Sequence, residues 1–284
     1  MKFAKEELKD YPISEVCRIL GISRSEYYRD PTKSDSEKTA KELAVSHCFQ
    51  AHDRNYGRIR IKKELVKENI ELSEYRISRI LKANKLVAKG GCPRNGKRSK
   101  KTEKQYIEEN LVKDKFSVTV ANYLWCSDIT ELEYKHGKLY LCGVLDVATR
   151  RIVGWSKARH QRQELVQDAF RMAIGRNPKR PEGAIFHSDR GSQYTAKKTK
   201  ELVEKAGFRR SMSRPGTPND NQPIESFWHT LETELDTLID CNYEQACAKI
   251  ESYIEMYYNS SRMHSGIAYY IPNDFFTLLS VSFS

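Results

Sequence analysis

The stretch FHSDRGSQYT, residues 186 to 195, places Asp189 directly after an apolar segment and ahead of a loop of small and polar residues. The segment before it, GAIF, has the apolar character of a buried strand. An acidic side chain at a strand end is either a solvated turn residue or a charge held in place for a metal ion. The elements on both sides of this stretch decide between the two interpretations.

The chain changes near Phe116 from helical periodicity to predicted strands. Three strands come first, with a turn at Gly137 between the first two: NYLWCSDITELEY, LYLCGVLDVATR and RIVGWSKA. A helix, a fourth strand, a second helix, a fifth strand and a long helix follow: QELVQDAFRMAIGR, GAIFHSD, TAKKTKELVEKAG, FRRSMS and IESFWHTLETELDTLID. This order is that of the ribonuclease-H-like α/β fold, a mixed sheet flanked by helices.

Three carboxylates occupy notable positions in this predicted fold. Asp128 lies within the first strand, Asp189 ends the fourth strand beside it, and Glu225 begins the last long helix, with 35 residues between Asp189 and Glu225. Converging carboxylates require a cation, because otherwise they repel one another or take up protons. Oxygen ligands without His or Cys favour Mg²⁺ or Mn²⁺ over zinc. Two such ions, about 3.5 to 4 Å apart, support phosphodiester chemistry.

The first residues of the chain predict a helix-turn-helix. In YPISEVCRILGISRSEYYRDP, Ile13, Val16, Cys17 and Leu20 repeat at helical spacing, Gly21 closes the first helix and Ser23 can cap the second. The second helix would present a set of residues to DNA: Arg24, Ser25, Tyr27 and Tyr28. A small helical hairpin with no role in DNA binding fits the same pattern.

A second helical unit follows the polar stretch DPTKSDSEK. It comprises residues 38 to 52, RIRIKKELVKEN, and SEYRISRILKANKL with Ser73 as N-cap. Its basic residues either contact phosphate or are simply solvated: Arg58, Arg60, Lys62, Arg76 and Arg79. The next stretch, VAKGGCPRNGKRSKKTEKQY, has no hydrophobic period and is predicted to be a phosphate-seeking linker. Its candidate phosphate contacts are Arg94, Lys97, Arg98, Lys100 and Lys101. Arg190, beside Asp189, is a further candidate for phosphate contact.

These patterns divide the chain into five predicted segments. They are a helix-turn-helix unit at 1–36, a helical DNA-binding unit at 37–88, a basic linker at 89–115, a catalytic core at 116–242, and a C-terminal helix and tail at 243–284.

The net charge of +11 is concentrated in the first part of the chain. Residues 1 to 116 hold 28 Lys and Arg against 18 Asp and Glu, whereas the remaining residues are nearly balanced at 21 against 20. This asymmetry indicates a polyanionic partner or a merely soluble basic domain. Seven cysteines without a CxxC pair, no apolar signal region and no long apolar segment predict a cytoplasmic protein with no membrane contact.

Three motifs in order carry a family resemblance. WCSDIT, HSDRGSQY and SMSRPGTPNDNQPIESFWHTLETEL resemble the DDE catalytic core shared by bacterial insertion-sequence transposases and retroviral integrases. YGRIRIKKEL and YYNSSRMHSGIAYYIPNDFF are similar to segments of the second reading-frame product of the IS-three family of insertion sequences. The resemblance covers essentially the whole chain.

The resemblance implies a site and a reaction. Asp128, Asp189 and Glu225 would be the metal-binding acids for two Mg²⁺ ions, with Mn²⁺ able to substitute, and the turn at 191–194 and Asp220-Asn221 would lie beside them. The enzyme would bind the terminal inverted repeats of its element, hydrolyse a phosphodiester and use the freed 3′ hydroxyl to attack a second one. The family often has an Ala after Asp-Asn, whereas Gln222-Pro223 stand here; proline in the first helical turn is well tolerated.

The resemblance also implies partners. These are double-stranded DNA at the element ends and at the target, further copies of the chain on that DNA as a homodimer or larger assembly, and a first-reading-frame protein. The expected location is the bacterial nucleoid. A DNA-binding regulator, or a nuclease built on the same core, is the alternative function.

Other residues near these motifs have structural interpretations. Asp146 also ends a strand and is interpreted as structural, His187 is interpreted as a packing residue, and Trp125 and Trp228 fill the core or line the cleft. Retroviral integrases carry an N-terminal zinc site of two His and two Cys. Here His47 and His52 have no downstream CxxC, so no zinc is expected.

Overall fold

The structure is a computed structural model, which describes residues 11–21, 23, 24, 27, 31–91, 110–112, 117–214 and 218–281, with the backbone alone for 31–37, 91 and 281. Most of the predicted linker, including its five candidate contacts, lies outside the described residues, as do Ser25 and Tyr28. The chain forms two compact units, Met1–Gly91 and Cys92–Ser284.

The first unit begins with the helix that the sequence predicts, α1 (Ile13–Leu20). It ends at Gly21, whose φ of 64° is the left-handed conformation that glycine adopts without steric cost. Val16 and Cys17 are buried on its inner face. Tyr27, predicted to face DNA, is instead buried against these two residues. Tyr27 is therefore not a DNA-reading side chain, because its ring closes the small core beneath α1.

The described part of the first unit contains three longer helices: α2 (Pro31–Ala51), α3 (Arg58–Lys67) and α4 (Glu74–Ala83). Helix α2 starts within the polar stretch DPTKSDSEK and runs without a break through residues 36 and 37, the predicted boundary between the first two segments. Ser73 caps α4 as predicted, since its hydroxyl accepts the Arg76 N–H at 3.2 Å. The core between these helices is made of apolar side chains with little or no exposure, among them Val45, Phe49, Tyr56, Ile61, Leu65, Ile77 and Ile80.

The second unit is built on a mixed five-stranded sheet in the order β3-β2-β1-β4-β5. Its strands are β1 (Leu124–Tyr134), β2 (Gly137–Asp146), β3 (Ile152–Ala158), β4 (Ile185–Ser188) and β5 (Arg209–Met212). The first three strands pair antiparallel, whereas β4 and β5 run parallel to β1. This is the ribonuclease-H-like arrangement, which confirms the predicted fold class.

Helices cover both faces of the sheet. They are α5 (Gln163–Arg176), α6 (Ser192–Thr195), α7 (Lys197–Lys205), α8 (Gln222–Glu234), α9 (Tyr243–Ser252), which continues into a π-helical turn (Tyr253–Tyr258), and α10 (Pro272–Val281). Phe170 of α5 and Val203 of α7 share one core with Trp125 of β1. Leu231 of α8 and Ile250 of α9 share a second core with Leu141 on the other face. Alternate residues of each central strand therefore enter opposite cores.

The C-terminal segment docks against this second core through buried polar contacts. Arg262 binds Glu234, at the end of α8, with two hydrogen bonds of 2.7 Å, and both side chains are buried. Asn259 donates to the carbonyl of Ile152 and accepts its N–H, both at 2.9 Å, so it extends the edge strand β3. The Tyr-Asn-x-x-Arg pattern therefore has a structural basis. Within the described residues, no helix combines the length and apolarity needed to cross a membrane.

Candidate active site

Asp128, within β1, and Asp189, directly after the end of β4, occupy equivalent positions beside each other in the sheet. The register of β1 and β4 pairs Ser127 with Ser188, so the next positions along the two strands are Asp128 and Asp189. Residues paired in register point to the same face, and neighbouring strands are about 4.8 Å apart. The pairing of backbones thus sets these two carboxylates side by side, as the predicted strand order requires.

The proximity of the two carboxylates is visible in their electrostatics. Burial, as the largest cause, and the negative charge of Asp189, as the second, raise the pKa of Asp128 to about 7. Hydrogen bonds from the Ile129 backbone and from Trp228 act in the opposite direction, and the repulsion from Glu225 is the smallest contribution. Two carboxylates in a partly dry site repel each other strongly, and a cation between them relieves that cost.

The loop after β4 is shaped around Asp189. The Gly191 N–H donates to Asp189 Oδ1 at 2.9 Å. A Cβ at position 191 would lie 3.0 Å from that oxygen and 2.8 Å from Gln193 Oε1, so a larger residue would disturb both contacts. Helix α6 starts immediately afterwards. The absence of a side chain at Gly191 therefore leaves the space in which Asp189 Oδ1 and Gln193 Oε1 lie.

A buried hydrogen-bond network attaches α6 to the strand that carries Asp128. The Tyr194 hydroxyl lies 3.0 Å from Ser127 Oγ, and both groups lie within 3.7 Å of Cys142 Sγ. Burial raises the pKa of Tyr194 well above its usual value, so it remains a neutral hydrogen-bonding group. This network couples the positions of Asp128 and the loop around Asp189.

Glu225 lies in the first turn of α8, on an exposed face. The start of this helix is anchored beside Asp128, because Asn221 Nδ2 donates to the Ser127 carbonyl at 3.0 Å. Within the described part of the chain, however, no three His, Cys, Asp or Glu side chains lie close enough together to hold a metal ion. The negative charge of Glu225 nevertheless contributes to the raised pKa of Asp128, so Glu225 lies within electrostatic range of that carboxylate, and its role as the third metal ligand stays a prediction.

Trp228 is a functional candidate whose contact with Asp128 was not anticipated. Its indole Nε1–H donates to Asp128 Oδ2 at 3.2 Å, one helical turn after Glu225. The ring rests on Gly143 of β2, where a Cβ would lie only 2.8 Å from Trp228 Cη2. The sequence indicates part of this arrangement, because Trp228 is three residues after Glu225 and therefore shares a helix face with it. The glycine that accommodates the ring could be identified only from the register of β1 and β2.

The side chain of Asp220 has a structural role. Its carboxylate is fully buried and bonds Arg214 and the Asn110 side chain at 2.7 to 2.9 Å. His187 lies between the Ser211 hydroxyl at 2.8 Å and the Asp220 carbonyl at 2.7 Å. Burial lowers the pKa of His187, which keeps the ring neutral. The packing role of His187 is confirmed. Asn221, the residue after Asp220, bonds the Ser127 carbonyl next to Asp128, and the expected position of the Asp220-Asn221 pair beside the metal-binding acids stays a prediction.

Asp146 and Trp125 also have the structural roles expected for them. Asp146 is buried and accepts hydrogen bonds from the Asn122 N–H at 3.1 Å and from the N–H and hydroxyl of Thr149. It organises the turn between β2 and β3. Trp125 is wholly buried and packs against Phe208 and Phe170.

The other predicted DNA-contacting residues are mostly on the surface of the first unit. Arg24, Arg76 and Arg79 are exposed, and Lys62 is half-buried. Arg58 forms an ion pair with Glu74 at 3.3 Å. Arg60 donates to the Asn55 carbonyl and lies over the Tyr56 ring, with 5.5 Å between Cζ and the ring centroid. In the second unit, Arg190 donates to the Ser213 carbonyl at 2.8 Å, which joins the end of β4 to the end of β5.

Sequence comparisons identify two kinds of domain. Residues 119–218 and 206–272 match two families described as integrase core domains, and residues 35–94 match an HTH-like domain. The transposase for insertion sequence element IS904 of Lactococcus lactis subsp. lactis is 36% identical, over 87% of this chain and 98% of that protein. The transposase InsF for insertion sequence IS3A of Escherichia coli is 30% identical, over 96% of each.

The chain belongs to the IS-three family of DDE transposases. Another relative is the insertion element IS600 uncharacterized 31 kDa protein of Shigella sonnei, 34% identical over 92% of this chain and 97% of that protein. Among solved structures, the catalytic core of the HTLV-2 integrase in complex with magnesium covers 55% of this chain and 97% of that chain, with 16% identity and a TM-score of 0.45.

The family boundaries agree with the positions of the structural features. The first integrase core match includes Asp128 and Asp189, and the second includes Glu225 and Trp228. The HTH-like match begins within α2 and covers α3 and α4, so it lies after the α1 region, whose sequence has the predicted helix-turn-helix pattern. The HTH-like and integrase core domains together indicate a DNA-binding protein.

Proposed function

We propose that this transposase binds the terminal inverted repeats of its insertion sequence and cleaves and joins DNA strands at Asp128 and Asp189, with Glu225 as the third carboxylate. The observation that carries the proposal is the parallel register of β1 and β4, which sets the two aspartates side by side at one edge of the sheet. The family supports the reaction class, since relatives across most of the chain are named transposases.

The donor set fits divalent metal ions, which integrase core domains generally use. Two aspartates are held by strand pairing, and the raised pKa of Asp128 reflects negative charge that a cation would stabilise. Their hard carboxylate oxygens suit Mg²⁺ or Mn²⁺. Asp128, Asp189 and Glu225 would hold two Mg²⁺ ions, which supply Lewis-acid activation of an attacking oxygen and stabilise a leaving oxygen.

The chain's own side chains orient these ligands. Trp228 donates to Asp128 Oδ2 and the Gly191 N–H donates to Asp189 Oδ1, so each aspartate has one oxygen fixed by a hydrogen bond. Asn221 anchors the start of α8, from which Glu225 approaches the pair. Preorganised ligands of this kind lower the reorganisation needed when the phosphodiester reacts.

DNA recognition would belong mainly to the first unit and to the linker after it. Residues 1 to 116 carry a net charge of +10, and the HTH-like match lies within them. The exposed arginines of α4, Arg76 and Arg79, remain candidates for phosphate contact, together with Arg24 and the basic linker. On DNA the transposase would act as a homodimer or larger assembly.

The test uses labelled duplexes from the ends of the element that encodes the chain. Asp128→Asn, Asp189→Asn and Glu225→Gln should each abolish cleavage and joining in Mg²⁺ while DNA binding is retained, because only a metal ligand is lost. Glu133→Gln, an exposed carboxyl on the same strand as Asp128, is the matched control and should behave as the parent. Near-normal joining by any of the three variants would remove that residue from the site. A parent that binds ends but never cleaves them would instead support a DNA-binding regulator.

A further inference from the structure

The loop between β3 and α5 is a cationic segment that the proposed mechanism does not use. It has the sequence Arg159-His160-Gln161-Arg162, called here the RHQR loop, and all four residues are exposed. No Asp or Glu occurs from residue 147 to residue 163. The loop is therefore a concentrated positive surface rather than a mixed, solvated one.

Sheet topology directs the RHQR loop to the edge that carries the two aspartates. β3 is antiparallel to β2, which is antiparallel to β1, so β3 runs in the same direction as β1 and β4. Ala158, the last residue of β3, pairs with Tyr140, and Tyr140 pairs with Glu131, three positions beyond Asp128. The carboxyl ends of β1, β3 and β4 therefore point in the same direction, towards the end of the sheet that carries the candidate active site.

A single side chain links the RHQR loop to the Asp189 loop. Gln193 Nε2 donates to the Gln161 carbonyl at 3.0 Å. The other atom of the same amide, Oε1, lies 2.8 Å from the position of a Cβ on Gly191, and that position is 3.0 Å from Asp189 Oδ1. A single side chain, that of Gln193, thus separates Gln161 of the RHQR loop from the candidate catalytic carboxylate of Asp189.

Neither arginine of the loop forms a close ion pair with a residue that the structure describes. The nearest acidic residue in sequence is Glu164, whose pKa is lowered mainly by hydrogen bonds from its own backbone N–H and from Gln163, and the positive charge of Arg162 contributes less than these bonds and the charge of Lys198. Other arginines of this unit form close ion pairs, such as Arg171 with Asp168 at 2.8 Å and Arg176 with Glu255 at 2.6 Å. Neither Arg159 nor Arg162 has a described acidic side chain within 4.0 Å.

Arg159 is nevertheless held in position. Its Cζ lies 4.4 Å from the centroid of the Tyr243 ring, at the start of α9. Stacking on an aromatic face orients a guanidinium without cancelling its charge or using its hydrogen-bond donors. Such a group suits the two oxygens of a phosphate.

We propose that the RHQR loop binds the phosphate backbone of the DNA strand that reaches Asp128 and Asp189. The inference rests on the proposed function, since it assigns a substrate contact to the same site. Arg159 and Arg162 supply the charge, and Gln193 keeps the loop in register with the Asp189 loop. The contact positions the strand and carries no sequence information.

The test is the paired substitution Arg159→Gln with Arg162→Gln in the full chain. DNA cleavage should show a KM for duplex raised about tenfold at low salt and a kcat changed less than about twofold. The slope of log affinity against log salt should fall by about 1.8, because each phosphate contact contributes about 0.9. Lys205→Gln with Arg209→Gln removes the same charge at the end of α7 and the amino end of β5, away from the candidate active site. This matched control should leave the KM and the salt slope at the parent values.

Two substrates distinguish which DNA the loop contacts. A loss in hydrolysis of uncleaved element ends assigns the loop to the end strand, whereas a loss confined to joining of pre-cleaved ends assigns it to the target strand. Either result supports the inference. A loop variant that matches the control pair in both reactions overturns it while the proposed function stands. A parent chain inactive on every substrate would contradict the proposed function itself.

Discussion

Trp228 donates its indole N–H to Asp128 Oδ2 at 3.2 Å, and its ring rests on Gly143, the residue paired with Asp128 on the neighbouring strand. The same strand register therefore positions the carboxylate and makes space for its hydrogen-bond donor. A Trp on a helix can reach a strand carboxylate in this way only where the intervening residue has no side chain.

Replacing Trp228 with Phe should slow DNA cleavage without preventing folding. Phe retains most of the apolar contact with Phe227 but removes the donor to Asp128. A hydrogen bond to a charged group contributes about 1.5 to 3 kcal/mol. If that contribution is lost only in the reacting complex, kcat falls about ten- to hundredfold. Single-turnover cleavage measures this, and a Trp228→Phe variant with the parent kcat would show that the donor does not position Asp128.

Gly143→Ala should produce a related defect although residue 143 carries no functional group. The new Cβ would lie 2.8 Å from Trp228 Cη2, so the indole must shift away from Asp128. Gly175→Ala is the matched control, because its Cβ would meet nothing within 4 Å. Cleavage assays on both variants, with tryptophan fluorescence as a readout of the indole environment, test the contact. Equal activity and equal spectra for the two would contradict it.

Divalent ions should separate assembly from catalysis. Mg²⁺ or Mn²⁺ should support joining of labelled ends, whereas Ca²⁺ should support DNA binding at most. The physical reason is that Ca²⁺ has a larger and looser coordination shell, which misplaces the attacking oxygen between the carboxylates. The measurement is strand transfer after chelation and addition of each ion. Efficient joining in Ca²⁺ alone, or with chelator present, would be incompatible with two-metal catalysis.

Arg262→Ala should destabilise the second unit by about 3 to 5 kcal/mol, because it leaves the buried carboxylate of Glu234 without its partner. The Tyr253 hydroxyl also donates to that carboxylate, at 3.0 Å, but carries no charge to replace the guanidinium. Urea denaturation monitored by circular dichroism measures the change in the free energy of unfolding.

A double variant gives the control for this ion pair. Arg262→Met combined with Glu234→Leu removes both charges and keeps the volume, so it should recover much of the lost stability. If Arg262→Ala unfolds at the same urea concentration as the parent, the pair does not hold the C-terminal segment in place.

A fragment beginning near Lys104 should fold and bind metal but lose specific recognition of the element ends. It retains Asn110, whose side chain binds Asp220 at 2.9 Å, and Leu111, whose N–H donates to Ser211 Oγ. It lacks the unit Met1–Gly91 and most of the basic linker. Competition binding of both proteins to end and scrambled duplexes over a range of salt tests this division. A fragment that discriminates ends as well as the full chain would place recognition in the core.

Local patterns in the sequence were sufficient for the order of elements and for much of the site. Strand periodicity located Asp128 and Asp189, and the order of strands and helices predicted that β4 pairs with β1. Glycine and serine signals located the end of α1 and the start of α4. These features depend on neighbours within a few residues or on the alternation of a strand, so the sequence encodes them directly.

Contacts between distant residues were decided only by the tertiary structure. The Trp228 hydrogen bond joins residues 100 positions apart, and the side chain of Asn110 meets Asp220 across 110 positions. Tyr27 was expected to face DNA because its spacing suits a recognition helix, yet the small core beneath α1 buries it. Helical spacing shows which residues share a face, but not which face the rest of the chain covers.

For this transposase, the sequence by itself determined the order of the elements and the basic character of the N-terminal part. It also determined that Asp128 and Asp189 follow equivalent positions of the neighbouring strands β1 and β4. The tertiary structure decided that Glu225 lies on an exposed face, that Asp220 turns towards Arg214, and that Gly143 makes room for Trp228. The physical reason is that backbone pairing follows from local pattern, whereas the final direction of a side chain depends on the volume and charge of residues brought together by packing.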